Sequence, residues 1–297
     1  MMTSLQELPE GLSWDTKFPD YPILQISNKN CTASIALHGA HLTHWQPSGE
    51  KHPVLYTSPT ALYKNGTAIR GGIPLCWPWF NAHPTAPETH PSHGVARNRF
   101  WTLEKVKQSS LETELTFILP STSEIATHVP FPYTVKAHFH LGKECSLNLT
   151  TTNNGKENIL VGGALHTYLA ISQLADISII GLQNTPYLDT STQPNSSKLQ
   201  EEAELLIKGE QDRIYYGSKN TVELHDPIWQ RRIQVHKEGS LTTVVWNPAK
   251  EKAAALKDLP DDGYENFVCI EACNAREDAR ILTPGESHCL ATSLRVS

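Results

Sequence analysis

Short runs in which apolar and polar residues alternate recur along most of the chain. Residues 111–119, 133–140, 146–152, 221–224 and 241–246 carry apolar side chains at about every second position. That is the period of a β-strand with one buried face. Turn-forming sequences separate the runs: Asn153-Asn154-Gly155, Lys237-Glu238-Gly239, Asp261-Asp262-Gly263 and Pro284-Gly285-Glu286. Many short strands divided by turns predict an all-β sandwich or barrel. Helical spacing is scarce. Residues 196–207, with Glu201, Glu202 and Glu204 on an exposed side, predict one short helix. The chain has no internal repeat, low-complexity segment or linker, and the proline-rich residues 80–91 read as a surface loop. Residues 1–297 are therefore read as a single domain.

One apolar run carries a charge. Phe267-Val268-Cys269-Ile270-Glu271-Ala272-Cys273 has the composition of a buried strand. At period two, Cys269, Glu271 and Cys273 share one face, and Val268, Ile270 and Ala272 share the other. A carboxylate buried there is costly unless paired or protonated, and burial raises its pKa toward the range useful to a general base. The alternative is a structural glutamate bonded to an arginine or to backbone amides.

Composition narrows the field. With 39% hydrophobic and 19% charged residues, the chain is ordinary for a globular protein. A net charge of −6 argues against non-specific nucleic-acid or anionic-membrane binding, and leaves room for a local basic pocket. The cysteines Cys31, Cys76, Cys145, Cys269, Cys273 and Cys289 are scattered and include no CxxC pair, so neither a zinc ribbon nor a disulfide framework is expected. Residues 1–10 do not read as a signal peptide, and no apolar run approaches the roughly 18 residues of a membrane span. A cytoplasmic protein with free thiols is the expectation.

Four segments hold candidate chemistry. In Ala68-Ile69-Arg70-Gly71-Gly72-Ile73-Pro74, two glycines after an arginine let the backbone turn or approach a ligand closely. Trp77 and Trp79 follow, either as sugar-stacking faces or as core. In Ser92-His93-Gly94-Val95-Ala96-Arg97, His93 and Arg97 share a face if the segment is extended. Arginine pairs with phosphate or carboxylate in a bidentate manner, although a surface salt bridge is the plain alternative. In Gly162-Gly163-Ala164-Leu165-His166-Thr167-Tyr168, His166 lies within an apolar strand, as a core histidine or as half of an acid/base pair with Glu271. Asp212 could accept sugar hydroxyls or pair with Arg213. His38, His41 and His44 are evenly spaced, but the spacing suits neither one strand face nor a ligand motif, so no metal is expected. No phosphate loop and no GxSxG elbow occur. Nothing around Cys269 or Cys273 supplies the electropositive setting of a catalytic thiol.

Six segments in order resemble the aldose 1-epimerase (galactose mutarotase-like) superfamily, and within it the glucose-6-phosphate 1-epimerase branch. They are Arg70-Gly71-Gly72-Ile73-Pro74, His93-Gly94-Val95-Ala96-Arg97, Ala164-Leu165-His166-Thr167-Tyr168, Asp212-Arg213-Ile214-Tyr215, Val245-Trp246-Asn247-Pro248, and Pro260-Asp261-Asp262-Gly263-Tyr264 through Glu271. The resemblance implies a β-supersandwich of two large, mostly antiparallel sheets with an open sugar cleft. It implies interconversion of hexose 6-phosphate anomers without a cofactor. By matching motif, His166 takes the general-acid role and Glu271 the general-base role. Arg70 and Arg97 match phosphate- and substrate-binding arginines, Asp212 a carboxylate on sugar hydroxyls, and His93 a histidine near the ring oxygen. Relatives tend to carry glutamine before the His-Gly where this chain has Ser92, which bears on sugar selectivity. A monomer acting on a small sugar phosphate is expected. The competing readings are an epimerase of unphosphorylated sugars, a non-catalytic sugar-phosphate-binding module, and a structural sandwich.

Overall fold

Alternation along the strands decides how the sheets stack. In the computed structural model, which describes residues 8–15, 17–18, 20–191 and 197–297, two large sheets bury their apolar faces against each other. One has nine strands, in the order Glu204–Leu206, Ser178–Ile180, Val222–Asp226, Arg231–Glu238, Ser287–Val296, Cys145–Asn153, Tyr133–Leu141, Thr113–Ile118 and Thr102–Gln108. The other has eight, numbered here in chain order: β1 Leu75–Cys76, β2 Gly163–Leu165, β3 Tyr168–Ala170, β4 Pro186–Asp189, β5 Ser197–Leu199, β6 Gln211–Tyr216, β7 Thr242–Asn247 and β8 Phe267–Asn274. They lie in the order β5-β4-β6-β7-β8-β2-β1, and β3 also pairs with β8. A four-stranded meander (Leu12–Asp15, Ile23–Ser27, Cys31–Ala36, His41–Pro47) and the pair Ile159–Val161 with Arg280–Leu282 complete the sheets among the described residues.

The strands expected from alternation are strands here. Cys145–Asn153 buries every second residue along its whole length. Between the large sheets, Phe117, Phe139 and Leu147 from one face meet Leu165, Tyr215, Val245, Val268, Ile270 and Ala272 from the other. Each valine, leucine, isoleucine or phenylalanine among them contributes about 1.5–3 kcal/mol by leaving water.

Two expectations are corrected. Residues 197–199 and 204–206 are strands, not helix, and Ser196 lies outside the described residues. Leu205 and Ile207 point inward while Leu206 is exposed, a period of two. The helix-favouring Glu and Leu residues yield to the backbone bonds offered by the open edges at Pro186–Asp189 and Ser178–Ile180. His166 is also not inside a strand. It occupies a two-residue break between β2 and β3. Among the described residues, no helix is long and apolar enough to cross a membrane.

Candidate active site

β8 is buried at all eight positions. Its Val268, Ile270 and Ala272 enter the main core, and Cys269, Glu271 and Cys273 face the other way, as the period-two reading requires. That second face is built in rows across the sheet. Asp212 of β6, Trp246 of β7, Cys269 of β8 and Tyr168 of β3 are direct cross-strand neighbours. Ile214, Val244 and Glu271 form the next row.

His166 completes that row. Leu165 opposes Ala272 and Tyr168 opposes Cys269, so one register continues through the break and sets His166 opposite Glu271. Within the break, the Ile270 N–H donates to the Thr167 carbonyl at 3.1 Å, and the His166 N–H donates to the Pro74 carbonyl at 3.1 Å. Directly opposed residues hold their side chains within reach of each other. His166 Nδ1 lies 3.4 Å from Glu271 Oε1, with the two side chains 8% and 1% exposed. The contact lacks hydrogen-bond alignment, and both atoms are otherwise unpartnered. Glu271 Oε2 accepts only a long contact from the Cys273 thiol, at 4.0 Å. Tyr168 stacks on the His166 ring at 4.9 Å between centroids, and Trp246 meets it edge-on at 5.9 Å. The histidine is thus held in plane by aromatic contacts.

Two glycine-bearing loops carry the arginines to this face. Gly71 and Gly72 both have positive φ, and a Cβ at either would collide with a backbone carbonyl oxygen of Tyr56 or Leu42. The buried His41 bonds the Gly71 carbonyl through Nε2 at 2.7 Å and steadies the turn. Arg70 then grips Asp258 with Nε (3.2 and 3.3 Å) and Nη2 (3.2 Å), and donates from Nη1 to the Tyr168 hydroxyl at 3.1 Å. In the second loop, His93 and Gly94 have positive φ before a single 3₁₀ turn, Ala96–Asn98. His93 and Arg97 therefore reach the site by a turn and not along one extended face. The His93 ring lies 5.8 Å from that of His166. Arg97 donates to the Ser92 carbonyl at 3.1 Å, and its buried Nε has no partner.

Electrostatics push both central groups toward their neutral forms. Burial lifts the Glu271 carboxyl well above the usual range, and the nearby Asp212 charge adds to this against the opposing pull of Arg97. Burial likewise drives His166 well below its usual value, aided by His93, Arg97 and Arg70. His93 falls to about 3 through burial and the same two arginines. Asp212 is raised, mainly by burial. Burial works against the Arg70 charge, but Tyr168 and Asp258 more than offset it.

The remaining candidates sort cleanly. Arg213 bonds Gln200 and covers the Tyr187 ring, so it is not the partner of Asp212. Trp77 and Trp79 are core residues, and Trp246 is the tryptophan at the site. His38 accepts from the Gly66 N–H, His41 holds Gly71, and His44 pairs with Thr32, three separate structural tasks. A set of metal-ligand donors does occur elsewhere: one ligand atom each from His166, Cys269 and Glu271 lies within 4.8 Å of the others. Sequence reasoning missed Asp258 and the stacking role of Tyr168. Tyr168 was visible two residues from His166; nothing local marks Asp258.

The chain matches the family model for aldose 1-epimerase over residues 22–295. It is 34% identical over 281 residues to a candidate glucose-6-phosphate 1-epimerase of Escherichia coli (strain K12), covering 95% of this chain and 92% of that protein. A candidate of the same name from Salmonella typhimurium is 33% identical over 256 residues, covering 86% and 84%. The crystal structure of YeaD from Salmonella typhimurium, described as a candidate mutarotase, superposes with a TM-score of 0.91 at 31% identity, covering 99% of this chain and 96% of that one. The paired antiparallel sheets are thus those of the mutarotase-type β-supersandwich.

Proposed function

The chain belongs to the aldose 1-epimerase family, and from that premise we propose that it interconverts the α and β anomers of a hexose 6-phosphate. The observation that carries this is the unpartnered, buried pair of His166 and Glu271, 3.4 Å apart on the face of β8 that points away from the main core. The anomeric oxygen and the ring oxygen of a pyranose are bonded to the same carbon. An acid and a base that serve them must be close neighbours, and this pair is.

In the scheme, Glu271 takes the proton of the anomeric hydroxyl while His166 donates one to the ring oxygen. The C1–O5 bond breaks to give the open aldehyde. Rotation about C1–C2 presents the other carbonyl face, and the transfers reverse. Only protons move, so the scheme contains no cofactor. Each positioned acid or base contributes typically ~10²–10⁴-fold. Without a ligand, burial favours a protonated Glu271 beside a neutral His166; the arginines add to the second effect, while Arg97 opposes the first. A sugar phosphate pairs with Arg97 and the remaining donors of Arg70, and its negative charge offsets the part of the His166 depression that comes from those two arginines. The scheme runs through the form with Glu271 ionised and His166 protonated. Asp212 takes sugar hydroxyls, and His93 stands near the ring oxygen.

We also read residues 1–297 as one domain, a reading supported by one continuous core spanning both large sheets, and propose that it acts as a monomer. Sedimentation analysis tests it.

One observation favours a second reading. Arg70 is already committed to Asp258 and Tyr168, which leaves Arg97 as the less engaged guanidinium and weakens the case for a two-arginine phosphate clamp. An epimerase of unphosphorylated aldoses needs no such clamp. Two-dimensional exchange NMR of glucose 6-phosphate and of glucose, with and without the protein, decides between them. Acceleration confined to the phosphate ester supports the proposal, and equal acceleration supports the second reading. Tight binding without exchange would leave only a binding module.

A further inference from the structure

We propose that His166, Cys269 and Glu271 also form a site for a thiophilic divalent cation, with zinc as the type, and that its occupation switches the acid/base pair off. The site stands on its geometry alone, while the inhibitory effect rests on the epimerase reading above.

Cys269 and Glu271 are two apart on β8 and so share a face, and His166 lies opposite Glu271 by register. One ligand atom from each lies within 4.8 Å of the other two. The 3.4 Å between His166 Nδ1 and Glu271 Oε1 is about the separation of two ligands on one tetrahedral ion with bonds of roughly 2.0–2.1 Å. A third ligand at sulfur requires only that Sγ close in on the same centre. Both the Nδ1 and the Oε1 atom are buried and have no hydrogen-bond partner. That is an unmet demand which a cation meets directly.

The donor set of imidazole, thiolate and carboxylate suits zinc, and three protein ligands leave a fourth position for water. Charge also balances. On binding, the Cys269 thiol and the Glu271 carboxyl release their protons to solvent, and the two anionic ligands neutralise the dication. Cys269 has no part in the proton-transfer scheme, so the epimerase has no need of a thiol at this place. Cys273 approaches Glu271 from its other oxygen and stands outside the triad.

The test uses cobalt(II) as a coloured stand-in and zinc as inhibitor, on a Cys289→Ser background that removes the exposed thiol. One equivalent of cobalt should give a thiolate-to-metal charge-transfer band, and zinc should bleach it. In Cys269→Ala, and in the near-isosteric Cys269→Ser should the first fail to fold, the band should vanish while anomer exchange without metal stays at the parent level. The zinc concentration for half-inhibition should rise at least about tenfold, since even an outer partner costs that much at metal sites. Cys273→Ala should leave the charge-transfer band in place, since its thiol lies outside the three ligands. A band that survives in Cys269→Ala, equal zinc sensitivity of parent and variant, or no cobalt uptake overturns the proposal. A cobalt band in a protein without epimerase activity would instead overturn the functional reading and leave the site standing.

Discussion

Arg97→Met separates recognition of the phosphate from catalysis. Arg97 gives one hydrogen bond to the Ser92 carbonyl, and its buried Nε has no partner. Methionine keeps much of the apolar stem and removes the charge. The fold loses one hydrogen bond, about 1 kcal/mol, and sheds a buried donor that was unsatisfied. Stability should therefore change little. A charge-assisted hydrogen bond to phosphate is worth about 1.5–3 kcal/mol. That converts to a rise of roughly 10- to 150-fold in KM for glucose 6-phosphate. On glucose the KM should match the parent's, because no phosphate is present to lose its partner, while the loss of the Arg97 charge beside Glu271 and His166 changes kcat alike on both sugars. Arg70→Met should behave differently: it strands Asp258, whose side chain is 17% exposed, and the Tyr168 hydroxyl that stacks over His166. A loss of about 1–3 kcal/mol of stability is expected, between the values for exposed and buried pairs. Exchange NMR over a range of substrate concentrations, with urea unfolding of each variant, reads both quantities. An equal rise in KM of Arg97→Met on both sugars, or an unchanged KM for the ester, refutes the assignment of Arg97 to the phosphate.

Glu271→Gln and His166→Ala should each lower exchange by about 10²–10⁴-fold with cooperative unfolding retained, and parent-like rates in either variant remove the pair from the mechanism. Gly94→Ala should cost roughly 1–3 kcal/mol or more, because the residue has a φ of +73° and a Cβ there meets the Trp77 carbonyl; a melting temperature equal to the parent's contradicts this. His41 is pushed down to about 3, chiefly by burial. A depressed histidine pKa gives stability that is present above the unfolded value of about 6.5 and is lost as pH falls toward about 3. His41→Gln should make that acid-side loss shallower in urea titrations across the same range, and an unchanged slope shows that His41 does not titrate on unfolding.

Local pattern determined a good deal of this protein. Period-two alternation marked the strands of both sheets, because backbone pleating and one-sided burial act within a few residues. It also placed Glu271 on a face with Cys269 and Cys273, away from Val268 and Ile270. Local pattern misled at residues 197–206, where good helix formers were captured by open sheet edges, and at His166, where a break in the strand left no sign in the apolar run. Pairing between distant segments lay beyond it. The register that sets His166 opposite Glu271, the reach of Asp258 to Arg70, and the Tyr168 stack depend on which strands become neighbours. A strand's own sequence specifies which face is buried, but a shift by two residues keeps that face and changes every partner. Local order along β8 thus sets the chemical character of the site's face, and only strand pairing brings this acid to this base.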